Sequence, residues 1–144
     1  MRLTVFTDFA LRVLMCLALE PDRRFTIAEI AKSYGISRNH LMKVVNHLTR
    51  AGLVESARGV GGGLKLARDP ATVTVGEIVR GSEEDFALVE CFRARNACLI
   101  TPECELKQTF GEALSAFFEK LDGRTLADLV ARDRPLRRRL KISA

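Results

Sequence analysis

The sequence has no apolar run long enough to cross a membrane. The longest near its start, "VLMCLAL" at 13–19, is approached through Asp8 and Arg12, and no small-residue cleavage site follows it. A bilayer span needs about 20 apolar residues, and a secretory signal needs a cleavable boundary after its apolar stretch. Neither is expected, so a cytoplasmic protein with reduced thiols or metal-bound cysteines is, rather than disulfides. Histidine is scarce as well. His40 and His47 are the only two, both fall in one helical segment, and no Ser/His/Asp set or carboxylate pair accompanies them. An enzyme is therefore not expected. Gly-Lys-Ser/Thr is missing, so the four glycines within residues 59–63 do not read as a nucleotide-binding loop. No repeat or low-complexity segment occurs. With 47% hydrophobic residues the chain can fill a core, and composition argues against disorder.

What is present is charge, unevenly placed. Residues 1–70 carry 11 Lys/Arg against 6 Asp/Glu, whereas 71–144 carry 12 of each. Five of the late cations crowd into "RPLRRRLK" at 134–141, which leaves 71–133 acidic. A basic front half suits a polyanion partner. The tail reads as a solvated, disordered end, with DNA contact as the alternative.

Thr-x-x-acid boxes at Thr26–Glu29, Thr74–Glu77 and Thr125–Asp128 each precede an apolar pattern and mark helix starts. Helices are expected at roughly 7–19, 26–33, 37–50, 75–81, 103–121 and 125–131, and two short strands around 53–57 and 63–67. In "TIAEIAKSYGISRNHLMKVVNHLTRA" (26–51), Gly35 can take a left-handed turn and Ile36 can plug the corner. Ser37 can then cap a second helix. Leu41, Val44, Val45 and Leu48 make its buried stripe, and Arg38, Asn39, His40, Lys43 and Asn46 its polar face. This is the pattern of a helix-turn-helix; a helical hairpin with a solvated face is the plainer alternative. His40 suits DNA better than His47, which fits a solvated or partly packed side chain. "GLVESARGVGGGLKLA" (52–67) then reads as a β-hairpin, which turns the motif into a winged helix. Arg58 and Lys65 would charge the wing, and Gly59, Gly61 and Gly62 would let its backbone approach a phosphate. The expected fold is mainly α: a winged helix-turn-helix over 1–82, a cysteine loop over 83–104, a long dimerisation helix and a short helix over 105–133, and a basic tail over 134–144.

In the long helix Leu106, Phe110, Ala113, Leu114, Phe117 and Leu121 form one stripe, widened by Phe118. Pairing with a second copy is expected, with packing against the first helix as the alternative. Cys91, Cys98 and Cys104 are separated by six and five residues, which matches neither a Cys-x2-Cys zinc pair nor a ferredoxin run. Thr101 and Pro102 suit a helix start and put Cys104 in the first turn, where the helix dipole favours thiolate. Incidental cysteines, a zinc site and an iron–sulfur cluster all remain open. Cys16 lies within an apolar helix face and reads as core.

The stretches "RLTVFTDFALRVLMCLAL" and "ISRNHLMKVVNHLTRAGLVESARGVGGGLKLA", together with the three-cysteine loop, resemble the Rrf-two (Rrf2) family of winged-helix regulators over roughly residues 1–135. The loop and "TDFALR" are similar to its nitric-oxide-sensing repressors. The resemblance implies a homodimer with one [4Fe–4S] cluster per subunit, bound by Cys91, Cys98 and Cys104 of one chain and Asp8 of the other. It also implies a double-stranded DNA operator as partner, nitric oxide as signal, and no membrane. The DNA contacts would then be Ser37, Arg38, Asn39, His40 and Lys43 on the recognition helix and Arg58, Gly59, Gly61 and Gly62 on the wing. Without the family, Asp8 is a first-turn acid four residues before a salt-bridge partner, Arg12. A [2Fe–2S] relative carries a histidine three residues after its last cysteine; that position is Lys107 here, a poor iron ligand. A thiol-based or [2Fe–2S] redox-sensing regulator of the same fold, and an iron–sulfur electron-transfer protein, are the alternative readings.

Overall fold

The computed structural model describes residues 2–142; Met1, Ser143 and Ala144, the last two closing the expected tail, lie outside the described residues. The first helix, α1 (Val5–Leu19), is the strut of the molecule. Thr4 caps it, its hydroxyl accepting from the Thr7 amide at 3.2 Å. Ala10, Val13, Leu14 and Leu17 are fully buried along it, against elements on several sides. The next helix, α2 (Ile27–Tyr34), opens with a complete capping box between Thr26 and Glu29 and ends on Gly35 at φ 65°. Ile36 folds back so that its amide meets the Ala31 carbonyl at 3.0 Å, and packs against the core. The recognition-type helix α3 (Arg38–Arg50) buries Leu41, Val44, Val45 and Leu48, the stripe its periodicity predicts. Ser37 stands at its N-cap, but the hydroxyl makes no capping bond.

The hairpin of β1 (Val54–Ala57) and β2 (Gly63–Leu66) pairs antiparallel with Val54 opposite Leu66 and Glu55 opposite Lys65. Phe25, 2% exposed, exchanges two backbone bonds with Leu64 at 2.9 and 2.8 Å and stitches the α1–α2 connection to the wing. Helix α4 (Val75–Ser82) starts at Thr74, which caps the Glu77 amide. The expected reciprocal bond is missing there, because the Glu77 carboxylate binds Arg68 at 2.5 Å instead. After a loop come α5 (Glu105–Asp122), α6 (Leu126–Val130) and α7 (Asp133–Leu140). Arg80 on α4 grips Asp122 on α5 with two bonds of 2.6 and 2.7 Å. Large side chains fully buried in the core include Phe25, Leu14, Ile30, Leu41, Leu48, Ile78 and Leu126. Each contributes about 1.5–3 kcal/mol over its exposed state.

Two further expectations need correction. The long helix begins at Glu105 rather than at 103, because Thr101–Glu103 form a separate 3-10 turn. The Thr101 hydroxyl is spent inside the loop, donating to the Cys98 carbonyl at 2.8 Å, so Cys104 occupies the N-cap instead of the first turn. The basic tail is not a disordered end over its described residues. It forms α7, with Leu140 and Ile142 buried at 8% and 7% exposure. Leu136 and Leu140 lie one turn apart and give the arginine-rich run an apolar edge; an arginine count alone conceals that edge.

Candidate functional site

The exposed face of α3 carries Arg38, Asn39, His40, Lys43 and Asn46, as its sequence spacing predicts. Met42, 47% exposed, shares that surface and was not singled out by its sequence, which marks it only as apolar. Arg38, Lys43, Arg50 and Arg58 enter no ion pair among the described residues. Their charge is available to a ligand. His47 is a brace: its ring meets Phe6 of α1 edge-on at 5.2 Å. His40 lies 6.4 Å from the Phe9 ring and is otherwise exposed.

The wing tip is built on glycine for a reason visible in the backbone. Gly59 and Gly61 sit at φ 89° and 76°, where a side chain is strained. At Gly62 an added Cβ would stand 2.5 Å from the Ala57 carbonyl oxygen, and the Gly62 amide closes the turn on Gly59 at 3.0 Å. Val60 projects fully into solvent. Lys65 does not supply the free wing charge expected of it. Its Nζ lies 3.3 Å from Glu55, which also takes Arg24 at 2.5 Å. The Arg24 hydrogen bond, then that of Lys65, holds the Glu55 carboxyl below the usual carboxylate range. Arg58 is left as the wing's unpaired cation.

Cys91, Cys98 and Cys104 are all free and partly exposed. They share one loop between α4 and α5. Cys91 sits in a 3-10 turn, Glu90–Phe92, and Cys104 on the N-cap of α5. Two polar side chains that the cysteine spacing gives no hint of hold the loop. The Glu90 carboxylate accepts from the Ala97 amide at 2.8 Å, and Asn96 Oδ1 accepts from the Cys98 amide at 3.3 Å and, at 3.0 Å, shares the one Thr101 hydroxyl proton with the Cys98 carbonyl. Lys107 and Leu114 line a hollow with Cys91. Among the described residues no three His, Cys, Asp or Glu side chains gather closely enough for one metal ion. Three soft thiols strung along a loop still suit a cluster, whose separate irons each take one thiolate; a single ion needs all its donors at one point. The donor set fits iron–sulfur chemistry.

Asp8 is on the outer side of α1, apart from that loop's own hydrogen bonds. Arg12 binds it through both carboxylate oxygens, at 2.7 and 3.1 Å. Arg12 is itself stacked over Phe9 and Tyr34, each at 5.9 Å. The first turn of α1 is tied to the head of the cysteine loop by Glu83. Its Oε1 accepts from the Thr4 amide at 2.8 Å, the Thr4 hydroxyl at 3.1 Å and the fully buried Thr7 hydroxyl at 2.5 Å. Burial pushes the Glu83 carboxyl up, but the hydrogen bonds from Thr7 and Thr4 outweigh it and hold the group below its ordinary value. Loop, α1 and α3 are thus linked in order through Glu83, Thr7, Phe6 and His47.

No residue of α5 is buried. Phe118 packs edge-on against Phe86 at 4.6 Å and under the Arg80 guanidinium at 4.0 Å, so it is used within the chain. Leu106 is 60% exposed, and Phe110, Leu114 and Phe117 are only half-covered. The helix packs chiefly against α4, and within the chain its stripe stays only half-covered. No helix among the described residues is long and apolar enough to cross a membrane.

Comparison with known proteins follows the same lines. The model of the Rrf2 family, described as "Iron-dependent Transcriptional regulator", matches residues 3–132. The "HTH-type transcriptional regulator NsrR" of Bacillus subtilis (strain 168) is 48% identical over 144 residues, covering 99% of each chain. Its namesake in Geobacillus kaustophilus (strain HTA426) is 46% identical over 143 residues, 98% of this chain and 97% of that one. Among solved structures, T. potens IscR superposes with a TM-score of 0.75 at 25% identity over 94% of this chain and 90% of that chain. CymR, the global cysteine regulator of B. subtilis, gives 0.73 at 27% over 92% and 98%. The winged helix, its long trailing helix and these full-length likenesses agree: the chain belongs to the Rrf2 family and is a transcriptional regulator, not an enzyme.

Proposed function

We propose that the chain is a homodimeric repressor whose operator binding is controlled by a nitric-oxide-sensitive [4Fe–4S] cluster. The observation that carries this reading is the set of three free, partly exposed thiols on one loop between the winged helix and an uncovered long helix. The likeness to regulators named NsrR and to a family described as iron-dependent supports it. Cys91, Cys98 and Cys104 hold the cluster, and Asp8 of the partner subunit gives the fourth donor. When bound, the cluster supplies iron that nitric oxide can ligate.

The chain's own residues do the rest. The half-covered stripe of α5 joins two copies, and two-fold symmetry matches paired half-sites about one helical turn apart. Ser37, Arg38, Asn39, His40 and Lys43 read the major groove. Arg38 or Lys43 at a guanine edge is worth about 1–3 kcal/mol of discrimination, and Met42 gives an apolar contact of the kind thymine methyls accept. Arg58 and the amides of Gly59, Gly61 and Gly62 touch the adjacent backbone. Glu83 carries the state of the loop to α1, and the Phe6–His47 contact carries it to α3. A change in the relative placement of the two reading heads costs simultaneous engagement of both half-sites; a hundredfold loss corresponds to about 2.8 kcal/mol.

The test is a nitric oxide titration of anaerobically prepared protein, following cluster absorbance and operator binding together. Both signals should fall in step. Operator affinity that survives complete loss of the cluster absorbance would remove the sensing role.

A further inference from the structure

Residues 132–141 set six cations against one acid, Asp133, and the fold gives this run a fixed place. Arg137 is the anchor. Its Nη1 donates to Glu20 at 2.5 Å, its Nε to Asp133 at 3.0 Å, and its Nη2 to the Leu19 carbonyl. The Ile142 amide closes on the Arg137 carbonyl at 3.0 Å, which sends Ile142 inward with Leu140. The end of α7 therefore lies in the corner between α1 and α2.

Around a hollow in that corner stand Lys32 and Ser33 of α2 and Arg139 and Lys141 of the chain end. Two other charged groups share the rim, Arg23 and Glu29. They satisfy one another at 2.9 Å, and Glu29 also accepts from the Thr26 amide at 2.6 Å. Lys32, Arg139 and Lys141 enter no ion pair among the described residues. The rim thus presents three cations, unpaired among the described residues, on and beside α2, the first helix of the helix-turn-helix. That helix crosses the phosphate backbone when its successor lies in the major groove. A sequence-blind polyanion is the ligand such a group fits, and the duplex already proposed for α3 is the candidate.

We propose that α7 is a second DNA-contacting element. Lys32, Arg139 and Lys141 clamp a backbone phosphate track beside α2 and extend the footprint beyond α3 and the wing. This rests on the DNA-binding reading above, and adds affinity without sequence preference.

The experiment compares the wild-type full chain with the triple variant Lys32→Gln, Arg139→Gln, Lys141→Asn. Asparagine is chosen because Lys141 occupies the left-handed region at φ 55°, which Asn tolerates. Fluorescence anisotropy is read on two duplexes of equal length across a potassium chloride series. One duplex is an operator selected in vitro with the wild type; the other is of mixed sequence. The variant should weaken both by the same factor, on the order of tenfold at low salt. It should also flatten the slope of log affinity against log salt by about 0.9 for each phosphate that the variant no longer neutralises. An unchanged slope overturns the clamp, even where affinity drops, since a weakening without altered counterion release is an indirect one. The double variant Arg38→Ala, Lys43→Ala separates the two levels. If it loses the operator while the triple variant keeps its slope, the clamp alone falls. If it leaves operator affinity untouched, the reading role of α3 falls and takes the clamp with it.

Discussion

Replacing Thr7 by valine removes one hydroxyl and almost nothing else. The side chain is fully buried, its shape is preserved, and the lost group is the donor that meets Glu83 at 2.5 Å. A hydrogen bond to a charged group is worth about 1.5–3 kcal/mol. Glu83 is partly exposed and keeps its two Thr4 bonds, so the lower end applies, about 1.5 kcal/mol. For a chain of this length that lowers the melting temperature by about 5 °C. The pH dependence has a definite sign. The folded Glu83 carboxyl lies below its ordinary value, despite burial, because of the bonds from Thr7 and Thr4. The stabilisation is complete above the unfolded carboxyl's range, about 4.3, and is lost as pH falls through the lower folded value. The deficit of Thr7→Val should therefore be full near neutrality and shrink in acid, where the wild type loses the same charged bond. Circular-dichroism melts at matched protein concentration, near pH 7 and near pH 3, read both quantities. A neutral-pH deficit under about 0.5 kcal/mol, or one that stays constant into acid, refutes the charged latch.

Three further outcomes are expected. Gly62→Ala drives a Cβ to within 2.5 Å of the Ala57 carbonyl, so the wing tip must open. Operator affinity should fall about tenfold with little change in melting temperature; wild-type affinity would show that the tip does not touch DNA. Burial pushes the Cys16 thiol up to about 12. Iodoacetamide at about pH 8 should thus label Cys91, Cys98 and Cys104 of iron-free protein and spare Cys16, since the thiolate is the reactive form. Peptide mass spectrometry that finds Cys16 modified as early as the others contradicts its enclosure. Arg137→Met removes the anchor to Glu20 and Leu19 and should cost about 2 kcal/mol. Amide exchange over 136–142 should quicken selectively; unaltered protection there would mean that the chain end is held by Leu136, Leu140 and Ile142 alone.

Much of the architecture follows from short-range rules. The stripe Leu41, Val44, Val45, Leu48, the Thr26 and Thr125 boxes and the left-handed Gly35 each depend on residues within a turn or two of each other. Sequence spacing alone therefore places them. The cysteines could be recognised as a group, but the bonds that shape their loop, from Glu90 and Asn96, use common polar residues with no periodic signature. Longer range was harder still. Glu83 reaches back 79 residues to Thr4, and Arg137 reaches back 117 to Glu20. No local propensity reports such meetings. The misjudged wing charge has the same origin. Lys65 looks free until the register sets it opposite Glu55, after which a cross-strand ion pair is what sheet geometry favours. Phe118 reads as surplus stripe until Phe86 and Arg80 arrive on it.

The meeting of Arg137 with residues 19 and 20 also bears on how the molecule is made. Synthesis is vectorial, and an amino-terminal unit ordinarily folds while the rest is still emerging. Here Leu140 and Ile142, which close the corner beside Phe25, leave the ribosome long after α1 and Phe25 do. A nascent or prematurely terminated polypeptide keeps that corner unsealed however well its earlier helices have formed.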